Sequence, residues 1–548
     1  MKPYLPILVL LIAFSSFGQN SPSQRPKLVV GIMVDQMRME YLTRFSSKLG
    51  NGGFKRLMND GFYLKNAHYN YVPTETGPGH ASVYTGTTPA IHGIIGNDWY
   101  DKATKKEVNC VGDPAQKVIG SANGPGSISP WRLMSSTMTD ELKLFSQKRA
   151  KVIGISWKDR SAVLPAGHMA DAAYWFDKTT GNFITSTYYM NQVPAWVEKF
   201  NNQKLADQYL NKEWKTTFPI AEYVESGPDN NPYESKLGNK TTPTFPYNLK
   251  ELRKKDDFDF LGNTPFGNDY LAEFVKAAIE SEKLGQGTET DFLAMSFSST
   301  DKLGHEVGPN AVEIEDIYIR LDKNIEALLN LLDAKVGAGK YTVFLTADHA
   351  VADMAQYLKD NKMPSGYFST ANVKAALNDH LQKYFPGRNL IAQFESSQVY
   401  FDHDAFDNKD PRTAGIELLI ATELTVNFLR DQPGIADAYP ENLIRQGRYD
   451  EQGPKGFVVR GFNQKRSGDI VFVLESGWYA GWKVTSTTHG SFYKYDTHVP
   501  VIFYGSGIKK GSSVRYHPIT DVAPTVTTLL GIKFPSGATG QPIEELFE

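Results

Sequence analysis

"KLVVGIMVDQ", residues 27 to 36, is a run of β-branched and other apolar side chains that ends on an aspartate. An apolar run of this length without polar alternation reads as a strand buried on both faces, the kind found in parallel sheets. "KVIGIS" (151–156), "FLAMSFSST" (292–300), "YTVFLTADH" (341–349) and "VPVIFYG" (499–505) repeat the pattern. Helical stretches alternate with these runs. "AVEIEDIYIRLDKNIEALLNLLDAK" (311–335) carries apolar residues at helical spacing behind Asn310, read as its cap, and "TDVAPTVTTLLGI" (520–532) reads as a closing helix. The alternation predicts an α/β fold, with a central, mostly parallel sheet flanked by helices on both faces.

Two segments break the rhythm. Residues from about 175 to 290 are rich in Asn, Tyr, Pro, Thr and Lys. Residues from about 355 to 485 carry two helices, "TANVKAALNDHLQKYF" and "TAGIELLIATELTVNFLRDQ", then strand-like "GFVVRG" and "GDIVFVLE". Both read as insertions in a single catalytic domain spanning 19–548, lying over the site. The first residues, "MKPYLPILVLLIAFSSFGQN", have a lysine, an apolar run and then small residues, the build of a secretory signal peptide over 1–18. A periplasmic or secreted protein is expected. The run is too short to span a bilayer comfortably, and no later segment is long and apolar enough, so no stable membrane association is expected. A net charge of -3 excludes a basic field for nucleic-acid polymers. Cys110 is the only cysteine, which excludes an intrachain disulfide.

Sheets of this class place their sites at the carboxyl ends of the strands. There the chain puts Asp35, then Asp301 and His305, then Asp348 and His349; "TSTTHGS" adds His489. A strand-ending aspartate is often only a turn former, and Asp301 with His305 could be a plain i,i+4 pair. Together the residues form two sets of three: Asp301, His305 and His489, and Asp35, Asp348 and His349. Three protein ligands with an open position is what catalytic Zn²⁺ takes, and two such sites can clamp both oxygens of an in-line displacement. "TETGPGHASVYTG" (74–86) adds a hydroxyl, Thr76, where a helix opens. It is either a helix start with a demanding turn or a nucleophile at the positive end of a helix dipole. The other histidines fit neither set by spacing; His80 reads as structural, and His498 as a core or supporting residue.

"VDQMR" (34–38), "TETGPGHASVYTGTTPAIHGIIGNDW" (74–99), "TDKLGHEVGP" (300–309), "TADHA" (346–350) and "THGS" (488–491) together resemble the alkaline phosphatase superfamily. The resemblance is to its PafA-type alkaline phosphatases, a monoesterase branch close to the nucleotide pyrophosphatase/phosphodiesterases. It implies that Thr76 is a nucleophile passing through a phosphothreonine, with two Zn²⁺ per chain on the two ligand sets and on Thr76. Asn97 can offer an amide donor to the phosphoryl group. "SWKDRSA" places Lys158 and Arg160 two apart, so on an extended segment both face one way. The resemblance makes them the phosphate-binding cations that separate monoesterases from diesterases. Small-molecule phosphate monoesters are the expected partners, and a monomer the expected state. The alternatives are a phosphodiesterase or nucleotide pyrophosphatase on the same scaffold, and a non-catalytic periplasmic metal- or phosphate-binding protein. No Cys-x-Pro-x-Arg or Ser-x-Pro-x-Arg segment marks a sulfatase.

Overall fold

The computed structural model describes residues 25–547 apart from 122, 123, 125, 255, 407–409 and 482, so the signal-peptide reading lies outside the described residues. Eight strands make most of the central sheet: β1 (Leu28–Val34), β2 (Phe62–His68), β3 (Val152–Ser156), β4 (Ala172–Asp177), β5 (Asn182–Ser186), β6 (Asp291–Phe297), β7 (Tyr341–Thr346) and β8 (His498–Gly505). Their order across the sheet is β2-β8-β7-β1-β6-β3-β4-β5. β1 lies at the centre, parallel to β6 on one side and β7 on the other, and every residue of it is buried. That double coverage is what its unbroken apolar sequence requires.

The fold class is as the sequence reads, with two of these strands turned round, the edge strand β5, antiparallel to β4, and β8. "VPVIFYG" was expected to run with the others, but β8 is antiparallel to both β7 and β2. An all-apolar run carries no directional signal. The reversal has a use: the segment leading into β8 arrives at the edge where the parallel strands leave, and it brings His489 there.

The helices that position the site are α1 (Thr76–Thr85), α2 (Asp159–Ala166), α3 (Pro265–Glu282), α4 (Ser299–Val307) and α5 (Val312–Leu332). α1 follows β2, starts from an extended Glu75 and stops at Gly86, whose φ of 66° is the left-handed cap that glycine adopts without strain. All ten of its residues are buried. α5 starts one residue later than the sequence suggests. Asn310 is occupied with Asp353 and Arg44, and Ala311 takes the cap position.

A second sheet, built from Ile391–Glu395, Gln398–Phe401, Ile435–Pro440 and Ile470–Leu474, has its own apolar core with the helices Thr370–Gln382 and Pro411–Arg430. "GFVVRG", expected as a strand, lies in a helix, Gly453–Gly461. Pro454 in its first turn is the start signal, and six residues were too few to separate the two periods.

Gly79 is where α1 meets the end of β7. A Cβ on it would lie 2.2 Å from the Asp348 carbonyl oxygen, which is backbone and cannot swing aside. Gly79→Ala is therefore expected to cost about 1–3 kcal/mol by overpacking and to push the start of α1 away from Asp348. Urea titration and initial-rate assays would show a lower midpoint with most activity lost; an unchanged midpoint would refute the contact.

Candidate active site

Every candidate except Asn97 follows a strand of the sheet within nine residues or lies in the segment entering β8. Asp35 directly follows β1, and its amide donates to Phe297 O at 2.9 Å, one step past the ladder. Asp301 and His305 lie on α4 after β6, with His305 Nε2 3.1 Å from Asp301 Oδ1. Asp348 and His349 follow β7 and are fully buried. Thr76 is the first residue of α1, 1% exposed, where the helix dipole is positive.

The three histidines share one arrangement. Nδ1 of His305 meets Thr487 O at 2.8 Å, that of His349 meets Ala350 O at 2.9 Å, and that of His489 meets Thr74 O at 2.7 Å. A carbonyl only accepts, so each Nδ1 carries a proton and each Nε2 is turned away from the backbone. Those nitrogens face carboxylates: His349 Nε2 lies 3.6 Å from Asp35 and 3.5 Å from Asp348, and His489 Nε2 lies 3.7 Å from Asp301. Burial lowers His349 to about 4, so it is neutral at physiological pH.

Two groups bring three ligand atoms within 4.8 Å of one another: Asp35, Asp348 and His349, and Asp301, His349 and His489. The first is the set read from the sequence. The second has His349 in the place expected of His305, because His489 stacks on His349 with ring centroids 3.4 Å apart. His305 approaches Asp301 alone, its ring 5.2 Å from that of His489.

Asp35 Oδ1, Asp348 Oδ2 and His349 Nε2 are buried without a hydrogen-bond partner. Leaving such atoms unpaired is costly unless a cation takes them. Hard carboxylate oxygens with bare imidazole nitrogens are the donor set of a divalent transition metal, so the residues fit one. Burial, with Asp35 beside it, pushes the Asp348 carboxyl well above the usual range. Asp301, although buried, is held well below it by His305 and Lys158.

Lys158 joins the groups. Its ammonium lies 2.7 Å from Asp35 Oδ2 and 2.6 Å from Asp301 Oδ2, and donates to Thr76 Oγ1 at 3.3 Å. The geometry that brings it there is not the expected one. Lys158 caps α2 and Arg160 sits in its first turn, so the two do not share a face of an extended segment. A strand ending at Ser156 leaves only Trp157 and the capping Lys158 before the helix begins. The Arg160 guanidinium lies 3.9 Å from Asp159 Oδ1, and its Nε is buried without a hydrogen-bond partner. That is a cation with a donor to spare.

Two positioning residues were missed in the sequence. Gln36 donates from its side chain to Asp301 Oδ1 at 2.7 Å and from its backbone to Asp348 Oδ1 at 3.1 Å. Its φ of 66° is unusual for a side chain this large. Glu75 accepts the Asn97 amide at 2.8 Å, and Asn97 Oδ1 accepts the Gly77 amide at 2.8 Å. This pairing fixes the Asn97 carboxamide with its NH₂ free to donate elsewhere. Burial raises Glu75 to about 7. Adjacency to Asp35 and Thr76 was the one available signal for either. His80, as expected, is structural: it bonds Thr76 O and Ser296 Oγ. His498 bonds Lys65 O and stacks on His68, with no contact to the site residues among those described.

The family model for type I phosphodiesterase / nucleotide pyrophosphatase matches residues 29–497. The alkaline phosphatase PafA of Elizabethkingia meningoseptica is 44% identical over 546 residues, covering 98% of each chain. A Myroides odoratus protein named as a calcium-transporting ATPase is 42% identical over 552 residues, covering 99% of each. The crystal structure of wild-type alkaline phosphatase PafA superposes with a TM-score of 0.91 at 43% identity, covering 96% of this chain and 99% of that one. A PafA variant substituted at a threonine, an asparagine, a lysine and an arginine superposes at 0.90.

The unpaired carboxylates give a pH-dependent expectation for metal-free protein. A carboxyl whose folded pKa is raised above its unfolded value costs stability at high pH, and the cost disappears as pH falls through the folded pKa. Metal-free Asp348→Asn is thus expected to be more stable than metal-free wild type by about 1–3 kcal/mol at pH 8, with the gap closing toward pH 4. Chemical denaturation after dialysis against a chelator measures it; a less stable variant at pH 8 would contradict the reading of Asp348.

Proposed function

The chain belongs to the type I phosphodiesterase / nucleotide pyrophosphatase family and is a phosphomonoesterase of the alkaline phosphatase kind, and on that premise we propose how its residues divide the work. The observation that carries the reading is the meeting of Thr76 Oγ1, the Lys158 ammonium and the carboxylates of Asp35 and Asp301 at the start of a buried helix. Thr76 attacks phosphorus and carries the phosphoryl group as a phosphothreonine, which water then hydrolyses. Asp35, Asp348 and His349 would hold one Zn²⁺ and Asp301, His305 and His489 a second; bound there, they would lower the pKa of the attacking hydroxyl and water and neutralise the leaving oxygen.

The remaining residues manage the charge of a monoester dianion. Lys158 is within reach of the phosphorylated oxygen. Arg160 has an unpaired buried Nε, and the Asn97 NH₂ is aimed by the Gly77 amide that holds its Oδ1. These are donors for the two oxygens that a monoester leaves uncovered and a diester partly blocks. The residue types changed in the PafA variant, Thr, Asn, Lys and Arg, are those of Thr76, Asn97, Lys158 and Arg160, which supports grouping them. The Myroides relative's name would bring transport; no helix among the described residues is long and apolar enough to cross a membrane. Export to the periplasm or medium, and action as a monomer, complete the proposal.

Two substitutions test it. Thr76→Ala should lower kcat by on the order of 10³-fold or more while metal content, read by elemental mass spectrometry, stays at the wild-type value. Retained turnover would remove Thr76 from the reaction. Lys158→Ala with Arg160→Ala should cut kcat/KM for an aryl phosphate monoester by on the order of 10³-fold and that for its methyl diester far less. Equal losses would mean that the cations serve both ester classes, and the diesterase reading would replace this one.

A further inference from the structure

A cavity of about 270 Å³ opens beside His489 and Glu75 and runs beneath the second sheet. Phe368, Phe472, Trp478 and Phe492 wall it, and Asn97, Lys158 and Arg160 are not among its lining residues. It therefore meets the reaction centre on the His489 side and not on the side that would grip the phosphoryl oxygens. We propose that this cavity is the leaving-group subsite, and that it selects phosphate monoesters whose alcohol carries an uncharged aromatic body. The inference rests on the phosphomonoesterase reading above.

Direction comes from the stereochemistry of the displacement. Attack by Thr76 in line at phosphorus sends the departing oxygen out on the opposite face. On the proposed division of labour the group around Asp301 and His489 meets that oxygen, and His489 is where the cavity begins. The carbon skeleton attached to that oxygen enters the cavity. The bond broken is the phosphorus–oxygen bond, so the alcohol leaves with its own oxygen and gains a proton.

The wall chemistry chooses among alcohols. Phe368 and Phe472 pack with ring centroids 5.4 Å apart, offering faces and edges to a further ring. Trp478 lies across Gly366 and Gly434, where any Cβ would come within 2.6 and 2.2 Å of its ring. Two glycines thus seat a tryptophan that remains only half buried. Among the described residues the lining contains no lysine or arginine and does contain two acids, Glu75 and Asp496. An anionic leaving group, such as the pyrophosphate or nucleoside phosphate that a nucleotide pyrophosphatase releases, would find repulsion there and no counter-charge. The volume falls below that of a typical pocket for a drug-sized ligand, which matches one ring system.

One wall is also strained. Ser396 and Ser397 form the two-residue turn between Ile391–Glu395 and Gln398–Phe401, with φ of 46° and 59°. Such a turn ordinarily uses Asn-Gly, since both positions need positive φ. The Phe472 amide donates to Ser397 O at 2.9 Å and ties the turn to the cavity wall. Strain of this kind concentrates at ligand clamps.

The test compares kcat/KM for 2-phenylethyl phosphate and ethyl phosphate, whose leaving alcohols have similar acidity, so that the ratio reports contact and not bond strength. The holoenzyme is assayed as wild type, as Trp478→Ala, which opens the wall, and as Thr370→Trp, which fills the cavity from its rim without removing packed side chains. Wild type should favour the phenylethyl ester by about tenfold or more, and both variants should bring the ratio close to one. 3-Carboxypropyl phosphate should be a poorer substrate than ethyl phosphate. A wild-type ratio near one, or a ratio that Thr370→Trp leaves unchanged, overturns the subsite while ethyl phosphate hydrolysis keeps the phosphatase reading intact. Hydrolysis of a methyl diester with neither monoester touched overturns that reading and the subsite with it.

Discussion

Three carboxylates, Asp35, Asp301 and Asp348, are buried side by side at one edge of the sheet, and that concentration of negative charge governs what surrounds it. One unpaired buried ion costs several kcal/mol, and three together are untenable without positive partners. The neighbourhood is arranged accordingly. Lys158 lies between Asp35 and Asp301, Gln36 donates to Asp301 and Asp348, and the start of α1 points its positive end inward. Even so, three polar atoms, Asp35 Oδ1, Asp348 Oδ2 and His349 Nε2, remain unpaired. What is left over is a demand for divalent cations, which is why the metal reading follows from electrostatics as much as from ligand identity.

The fold meets that demand by direction. Strands β1, β3, β6 and β7 run parallel, so whatever follows each one gathers at a common edge, and Asp35, Lys158, Asp301 and Asp348 all follow within a few residues. Had β8 been parallel as well, His489 would have entered at the opposite end. Backbone carbonyls complete the arrangement. Thr74, Ala350 and Thr487 each fix one histidine ring by accepting from Nδ1, and Thr487 and Thr74 lie 182 and 415 positions from the rings they hold.

What was legible in the sequence follows from these same features. Strand ends were readable because an apolar run that stops at an aspartate is a local signal, and the fully buried β1 and β6 need such runs. The first metal group was readable for the same reason. The direction of β8 was not, since its apolar residues satisfy either pairing. Lys158 and Arg160 were correctly linked to the site edge, but their geometry was misjudged: nothing local showed that α2 begins at Asp159. Gln36 and Glu75 were invisible because a glutamine or glutamate becomes a positioning residue only through partners that are 265 and 22 positions along the chain. The approach of His349 to Asp301 and His489 depends on side-chain stacking, which no spacing encodes.

The separation of cations from the aromatic cavity bears on how selectivity could arise. Contacts to the phosphoryl oxygens strengthen as charge redistributes in the transition state, so they act on kcat. A ring held in an apolar cavity is contacted about equally before and during bond cleavage, so its binding energy lowers KM and raises kcat/KM. The same scaffold can therefore keep its chemistry constant while its insertions vary the cavity. Residues between about 355 and 485 supply Phe368, Phe472 and Trp478, whereas the strand ends supply the charged centre. A change of preferred ester would then require altering only an insertion, with the buried carboxylates and their counter-charges left as they are.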